Sequence, residues 1–167
     1  QADFFADPIH SSLMDGAIET GRDALSRSMP FENGAILNPV GMINVADSMA
    51  ATKKLVFDER KVSADTLMKA LAANWKGYEH LQKMFFHAPK YGNGDAYVDS
   101  IANELYGFWG NTAHSFRSIY GGTMKPAGIS ITSYGPAGAL TGATRDGRLA
   151  GENLADGSIS AEQGRDI

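Results

Sequence analysis

Three groups of residues have the types and spacing to do chemistry. The four histidines come first. His80 and His87 are seven apart, two turns of a helix, so both could share a face. No acidic residue completes HExxH spacing, and His10 and His114 lack companions, so surface or core roles are favoured over metal ligation or a metal-dependent hydrolase. The second group is Asp15, Glu19 and Asp23, spaced four apart as on one helix face. Paired carboxylates can exchange protons in acid–base work. A solvated face beside Arg22 and Arg27 is the favoured reading. The third is the stretch GALTGATRDGR at 138–148. It lacks the Lys-Ser/Thr of a phosphate-binding loop. Arg145 and Arg148 carry planar forks able to grip a carboxylate or phosphate. The favoured alternative is that Asp146, Asp156 and Asp166 pair with these arginines and brace a long loop.

These residues need elements to place them. Residues 1–125 read as mostly helical, followed by a strand and a glycine-rich tail over 126–167. Leu13, Met14, Ala17 and Ile18 recur at helix spacing, with Gly21 as a stop. A second helix starts near Ile43 and carries Val45, Met49, Ala50 and Leu55 on one face, with Lys53 and Lys54 towards its C-terminal end. Residues 26–42 connect the two. In the third, Ser63 is a natural N-cap, Asp65 sits in the first turn, and Leu67, Leu71, Trp75, Tyr78, Leu81 and Phe85 follow at spacings of three and four up to Pro89 and Gly92. A fourth runs from Asp95 through Val98, Ile101, Leu105, Phe108, Trp109, Thr112 and Phe116. Gly107 and Gly110 interrupt it, and close packing against another backbone would explain both. Trp75, Tyr78, Trp109 and Phe116 read as core rather than as an aromatic pocket. Residues 127–133 (AGISITS) alternate as a strand does, with Ile129, Ile131 and Ser133 on one side and Ser130 and Thr132 on the other. From Tyr134 onward the periodicity fades. A lone strand leaves backbone groups without partners, which points to a segment of a larger α/β protein.

Composition narrows the classes. The 167 residues are 43% hydrophobic and 20% charged, ordinary globular usage that excludes a disordered chain. A formal net charge of −4 gives no basic excess, so neither nucleic acid nor an anionic membrane is the expected partner. No stretch approaches the roughly 20 apolar residues of a bilayer span. The N-terminus lacks a basic region ahead of an apolar core, and a cytoplasmic protein is expected. Cysteine is absent, which excludes disulfides, thiolate metal sites and a cysteine nucleophile within these residues. Ten of the 19 glycines lie from Gly121 onward.

That glycine-rich region carries a resemblance. ITSY at 131–134, Gly138, TGATRDGRLAGE at 141–152 and LADGSISAEQGRD at 154–166 resemble the late-barrel blocks of glycyl radical enzymes, the pyruvate formate-lyase relatives. LMDGAIETGRD at 13–23, NVADSMAATKKLVF at 44–57 and APKYGNGDAYVD at 88–99 resemble further blocks, in family order. NWKGYE at 74–79 and GENLADG at 151–157 are closer to the dehydratase, decarboxylase and succinate-synthase branches. Arg145 stands where many relatives have proline. Gly94 and Ala96 soften a usually acidic run.

The resemblance implies a fold class and a chemistry. The fold would be α/β: a mostly helical segment of a ten-stranded barrel around two finger loops, with a strand and a long glycine-rich loop at its C-terminal end. The function would be part of a glycyl radical lyase that makes or breaks C–C, C–O or C–N bonds in a small organic substrate in anaerobic metabolism. A non-catalytic helical binding module of the same descent is the alternative. In the family, one finger loop holds a cysteine that becomes a thiyl radical. The other holds a glycine that stores the radical, installed by an iron–sulfur activating enzyme using S-adenosylmethionine. Residues 1–167 are expected to fall between the two loops, so they form a partial barrel domain, inactive alone. No catalytic residue, metal or bound cofactor is assigned to them. The implied partners are the remainder of the enzyme, the activating enzyme and a second copy in a homodimer. Ile129, Ile131 and Ser133 are the candidate substrate-pocket wall. Thr141, Gly142, Asp146, Gly147, Arg148, Asp156 and Gly157 are the candidate structural loop.

Overall fold

A computed structural model describes residues 6–23, 36–118, 122–129, 132–156, 159–162 and 164. The chain divides into two compact units, Gln1–Leu37 with Trp109–Pro126 and Asn38–Phe108 with Ala127–Ile167. No described helix is long and apolar enough to cross a membrane.

In the first unit two short helices, α1 (Pro8–Ser11) and α2 (Ala17–Thr20), replace the single helix expected there. Asp7 caps α1 by accepting the His10 N–H at 3.0 Å, and Pro8 sits where no N–H is needed. Gly16 and Gly21, both left-handed, bracket α2. The break turns the expected apolar face outward: Ala17 is buried, but Leu13 and Ile18 stay 80% and 71% exposed. It also takes Asp15, Glu19 and Asp23 off a common helix. Asp23 instead accepts the Asp7 N–H at 2.7 Å and the Ser11 hydroxyl at 2.8 Å. Strand β1 (Ile36–Leu37) pairs in parallel with β2 (Lys125–Pro126), Ile36 opposite Lys125.

The second unit holds the larger core. Its α3 (Met42–Thr52) buries Ile43, Ala46, Ala50 and Ala51, while Val45 and Met49, expected on the buried face, are nearly half exposed. The helix widens into a π-helical segment, Lys53–Asp58, in which the Glu59 N–H reaches the Lys54 carbonyl at 2.8 Å and Leu55 remains buried.

Ser63 caps α4 (Ala64–Ala72) as expected, accepting the Thr66 N–H at 3.1 Å. The apolar series does not run on as one helix. Asn74 and Trp75 take left-handed φ values of 50° and 63°, Gly77 follows at 80°, and α5 (Glu79–Phe86) restarts beyond them. Leu67, Trp75 and Phe85 are nonetheless buried together, with Leu71, Tyr78 and Leu81 packed against them. The Trp75 and Phe85 ring centroids lie 5.5 Å apart.

Helix α6 (Ala96–Ser115) follows Asp95, which accepts the Tyr97 N–H at 2.9 Å. It runs unbroken through both glycines. A Cβ at Gly107 would meet nothing within 4 Å and one at Gly110 only Pro126 Cγ at 3.9 Å, so close backbone packing does not account for them.

The alternating stretch after Pro126 is not a strand where it is described. Ala127–Ile129 are irregular and Thr132–Ser133 form a turn. The backbone of Ile129 is paired by a side chain: the Asn38 amide accepts its N–H at 2.8 Å and donates to its carbonyl at 3.2 Å. Beyond it, the tail expected to lack periodic structure contains a helix, α7 (Tyr134–Ala139). Gly138 permits this, because a Cβ there would lie 2.3 Å from the Glu152 carbonyl oxygen and 2.8 Å from the Asn153 Cα.

Candidate functional site

The glycine-rich loop after α7 is organised around two fully buried charged side chains, Asp146 and Arg148. The Arg148 guanidinium donates to the carbonyls of Glu152 at 2.6 Å and Thr141 at 3.2 Å, to that of Gly142, and to the Thr144 hydroxyl at 3.1 Å. It thus closes the loop on itself by gathering carbonyls from both of its ends. Asp146 Oδ1 accepts the Arg148 N–H at 3.1 Å and the Thr144 hydroxyl, and Oδ2 accepts the Asn44 amide at 2.9 Å. Burial of both groups is tolerable because each makes several well-placed hydrogen bonds.

Other elements bind this loop from outside. Asn44 on α3 also accepts the Ala155 N–H at 2.8 Å. The Trp75 indole donates to the Arg148 carbonyl at 3.3 Å, and Asn74 accepts the Ala150 N–H at 2.7 Å. The left-handed kink between α4 and α5 is what presents these two side chains to the loop. Gly147, at φ +93°, lies so close to α5 that a Cβ would sit 2.8 Å from the Phe86 nitrogen. Gln82 adds a bond to the Gly147 carbonyl at 3.0 Å.

Nearby, Asp47 accepts the Tyr91 N–H at 2.8 Å, and the buried Lys90 ammonium donates to the Phe85 and Ala88 carbonyls at 2.8 and 3.1 Å. Asn44 and Asp47 are residues of this site that no catalytic or ligand-binding motif marks. Their signal was present, as polar residues interrupting the apolar side of α3.

Beside the loop lies a cavity of about 460 Å³. Val40, Val45, Met49, Leu71 and Leu154 supply its apolar lining, and Asn44, Ser48, Thr141, Thr144 and Arg145 its polar one. Its size is that of a ligand pocket or of a seat for side chains. The N-terminus of α3 opens here at Gly41, φ +77°, without a side-chain cap.

A second polar cluster is exposed. Lys53 Nζ and the Tyr97 hydroxyl both reach Asp58 Oδ2, at 2.8 and 2.7 Å. The bond from Lys53 holds the Asp58 carboxyl below its ordinary range, and the same bond raises Lys53. Partial burial raises Tyr97. On α6 the buried Tyr106 hydroxyl has no hydrogen-bond partner among the described residues, and burial pushes it up to about 12.

The residues singled out from the sequence are dispersed among these sites. Thr141, Gly142, Asp146, Gly147 and Arg148 come together in the loop, while Asp156 is half-buried beyond it. Gly157, Ile131, Arg27 and Asp166 lie outside the described residues. Ile129 is 45% exposed and Ser133 precedes α7; neither lines the cavity. Arg145 and Arg148 do not form a clamp: Arg148 is consumed by the loop's carbonyls while Arg145 faces the cavity. His80 lies in α5, His87 at its C-terminal end against the Phe86 ring, His114 in α6, and His10 in α1 with Nδ1 3.8 Å from Asp7.

A profile described as pyruvate formate lyase-like matches residues 1–138. Trans-4-hydroxy-L-proline dehydratase of Clostridioides difficile is 35% identical over 95% of this chain and 20% of its own length. Isethionate sulfite-lyase of Oleidesulfovibrio alaskensis is 36% identical over all of this chain and 20% of its own. The glycerol-bound structure of the B12-independent glycerol dehydratase from Clostridium butyricum superposes with a TM-score of 0.87 at 33% identity, covering 99% of this chain and 21% of that one. The chain therefore spans about one fifth of the length of the curated relatives it matches.

Proposed function

Because this chain belongs to the pyruvate formate lyase-like family of glycyl radical enzymes, we propose that it is part of a glycyl radical lyase. The lyase would act on a small organic substrate, making or breaking a C–C, C–O or C–N bond. The observation that carries this reading is end-to-end agreement: two relatives match at least 95% of the chain in sequence, and a third matches 99% of it in backbone.

The chain's share of the work is positional. It contains no cysteine, so the thiyl centre belongs to another part of the enzyme. The glycyl radical, installed by an S-adenosylmethionine-dependent iron–sulfur activating enzyme, supplies the stored unpaired electron. The segment contributes to a ten-stranded barrel, and the complete enzyme pairs as a homodimer. Ile129, Ile131 and Ser133 line its substrate pocket, where apolar side chains exclude water from a reactive intermediate. Thr141, Gly142, Asp146, Gly147 and Arg148 form the loop that holds this region rigid, and Asp156 and Gly157 are assigned to its continuation. A radical pocket needs such rigidity because small displacements of reacting atoms are costly in rate.

The test is electron paramagnetic resonance of the full-length protein after anaerobic activation. A glycine-centred signal with turnover of a hydroxylated or sulfonated small substrate is expected. Absence of the signal with a competent activating enzyme overturns the reading. The pocket-wall role is tested separately by Ile129→Glu, which should weaken substrate affinity or turnover in the activated enzyme. Unchanged values for both would remove Ile129 from the pocket.

A further inference from the structure

Val40, Val45 and Met49 leave 40%, 46% and 47% of their surfaces uncovered and stand together on the cavity of the second unit. Leu71 and Leu154 continue the apolar lining. Contiguous large apolar side chains around a concave surface mark a place where something binds. The charge there is one-sided. Among the described residues Arg145 is the only charged one lining the cavity, and no carboxylate among them pairs with it. Its neighbour Asp146 is turned away, accepting from Asn44 and from the Arg148 N–H. The surface therefore combines an aliphatic wall with one uncompensated guanidinium.

We propose that this cavity is the docking surface for another segment of the same polypeptide. That segment lays an aliphatic or aromatic side chain on Val40, Val45 and Met49, and presents a carboxylate to the Arg145 guanidinium. The proposal rests on the reading of the chain as part of a glycyl radical lyase, since an enzyme of the relatives' length has about four fifths of its residues outside this chain. The guanidinium fork selects a carboxylate by bidentate geometry, and the apolar wall selects the residues flanking it.

The test uses the full-length protein carrying Arg145→Lys, which keeps the charge at an exposed position and gives carbodiimide an amine to couple. Mass spectrometry should find position 145 joined to an Asp or Glu outside residues 1–167. Hydroxyl-radical footprinting should find Met49 oxidised at least tenfold more slowly than methionine in an unfolded reference peptide. Coupling only to carboxylates within residues 1–167, no coupling, or Met49 oxidised as fast as the reference overturns the docking surface. So does protection of Met49 that appears only when a small carboxylate such as hexanoate is added, which would make the cavity a ligand site. The glycine radical signal measured on the same preparation separates the two claims. A radical without the cross-link leaves the family chemistry standing and removes the docking surface.

Discussion

The glycine-rich loop of the second unit and the short helices of the first make opposite uses of similar raw material. Both are rich in small and polar residues. In the loop, Arg148 and Asp146 are fully buried and make many hydrogen bonds, and Asn44 on α3 and the adjacent Asn74 and Trp75 tie the loop to two other places in the chain. In α1 and α2, one carboxylate, Asp23, does most of the tying, while Ile9, Leu13 and Ile18 remain 78%, 80% and 71% exposed. The contrast shows that irregular backbone can be the better-determined part of a protein. What matters is whether its polar groups are satisfied by residues within the same fold.

The most severe way to break this contrast is Arg148→Met. It leaves the carbonyls of Thr141, Gly142 and Glu152 without their donor, and about 4 kcal/mol of stability should be lost, read from the urea midpoint. Gly138→Ala comes next. Its Cβ would meet the backbone of Glu152 and Asn153 rather than a movable side chain, so about 2 kcal/mol should be lost, with faster hydrogen exchange across 141–155. Trp75→Phe keeps the ring in the core and removes only the indole donor to the Arg148 carbonyl, a loss of about 1 kcal/mol in the same assay. In the first unit, Leu13→Ser and Ile18→Ser should change the stability of the isolated chain by no more than about 0.5 kcal/mol. A larger loss there would mean these apolar side chains are covered after all.

The smallest expected effect belongs to the exposed Lys53, Asp58 and Tyr97 cluster. Asp58 is held below its ordinary value, so its contribution is complete above that value and is lost as pH falls through the lowered one. Lys53 is raised, so its contribution is complete below the ordinary lysine value and disappears as pH climbs through the raised one. Removing the pair with Lys53→Met should leave stability between those limits only slightly changed, and added salt should shrink the difference further. A salt-independent loss at neutral pH would show the cluster to be buried in the working protein.

Local signals are legible in the sequence because local chemistry decides them. Ser63 at the head of α4, Asp95 at the head of α6 and Gly21 at the end of α2 each act through bonds or dihedrals within a few residues. The failures share a cause as well. The apolar series from Leu67 to Phe85 satisfies a single helix, yet the chain breaks at Asn74 and Trp75 to reach a loop more than seventy residues away. The alternation over 127–133 satisfies a strand, yet Ile129 takes its backbone partners from the Asn38 side chain. Helix α7 was hidden by Gly135, Pro136 and Gly138, residues poor in helix propensity, of which Gly138 is required by the backbone crossing it.

The sequence by itself determined the family, since ordered blocks along the whole chain need no coordinates to be recognised, and it determined which side chains were available to brace the glycine-rich loop. Only the tertiary structure decided how they divide the labour. Two arginines three residues apart read alike in one dimension. Burial sends Arg148 to the carbonyls of its own loop and leaves Arg145 facing the cavity. That separation depends on which carbonyls converge in space, a fact set by long-range packing of α3, α5 and α7 rather than by any local preference of the residues themselves.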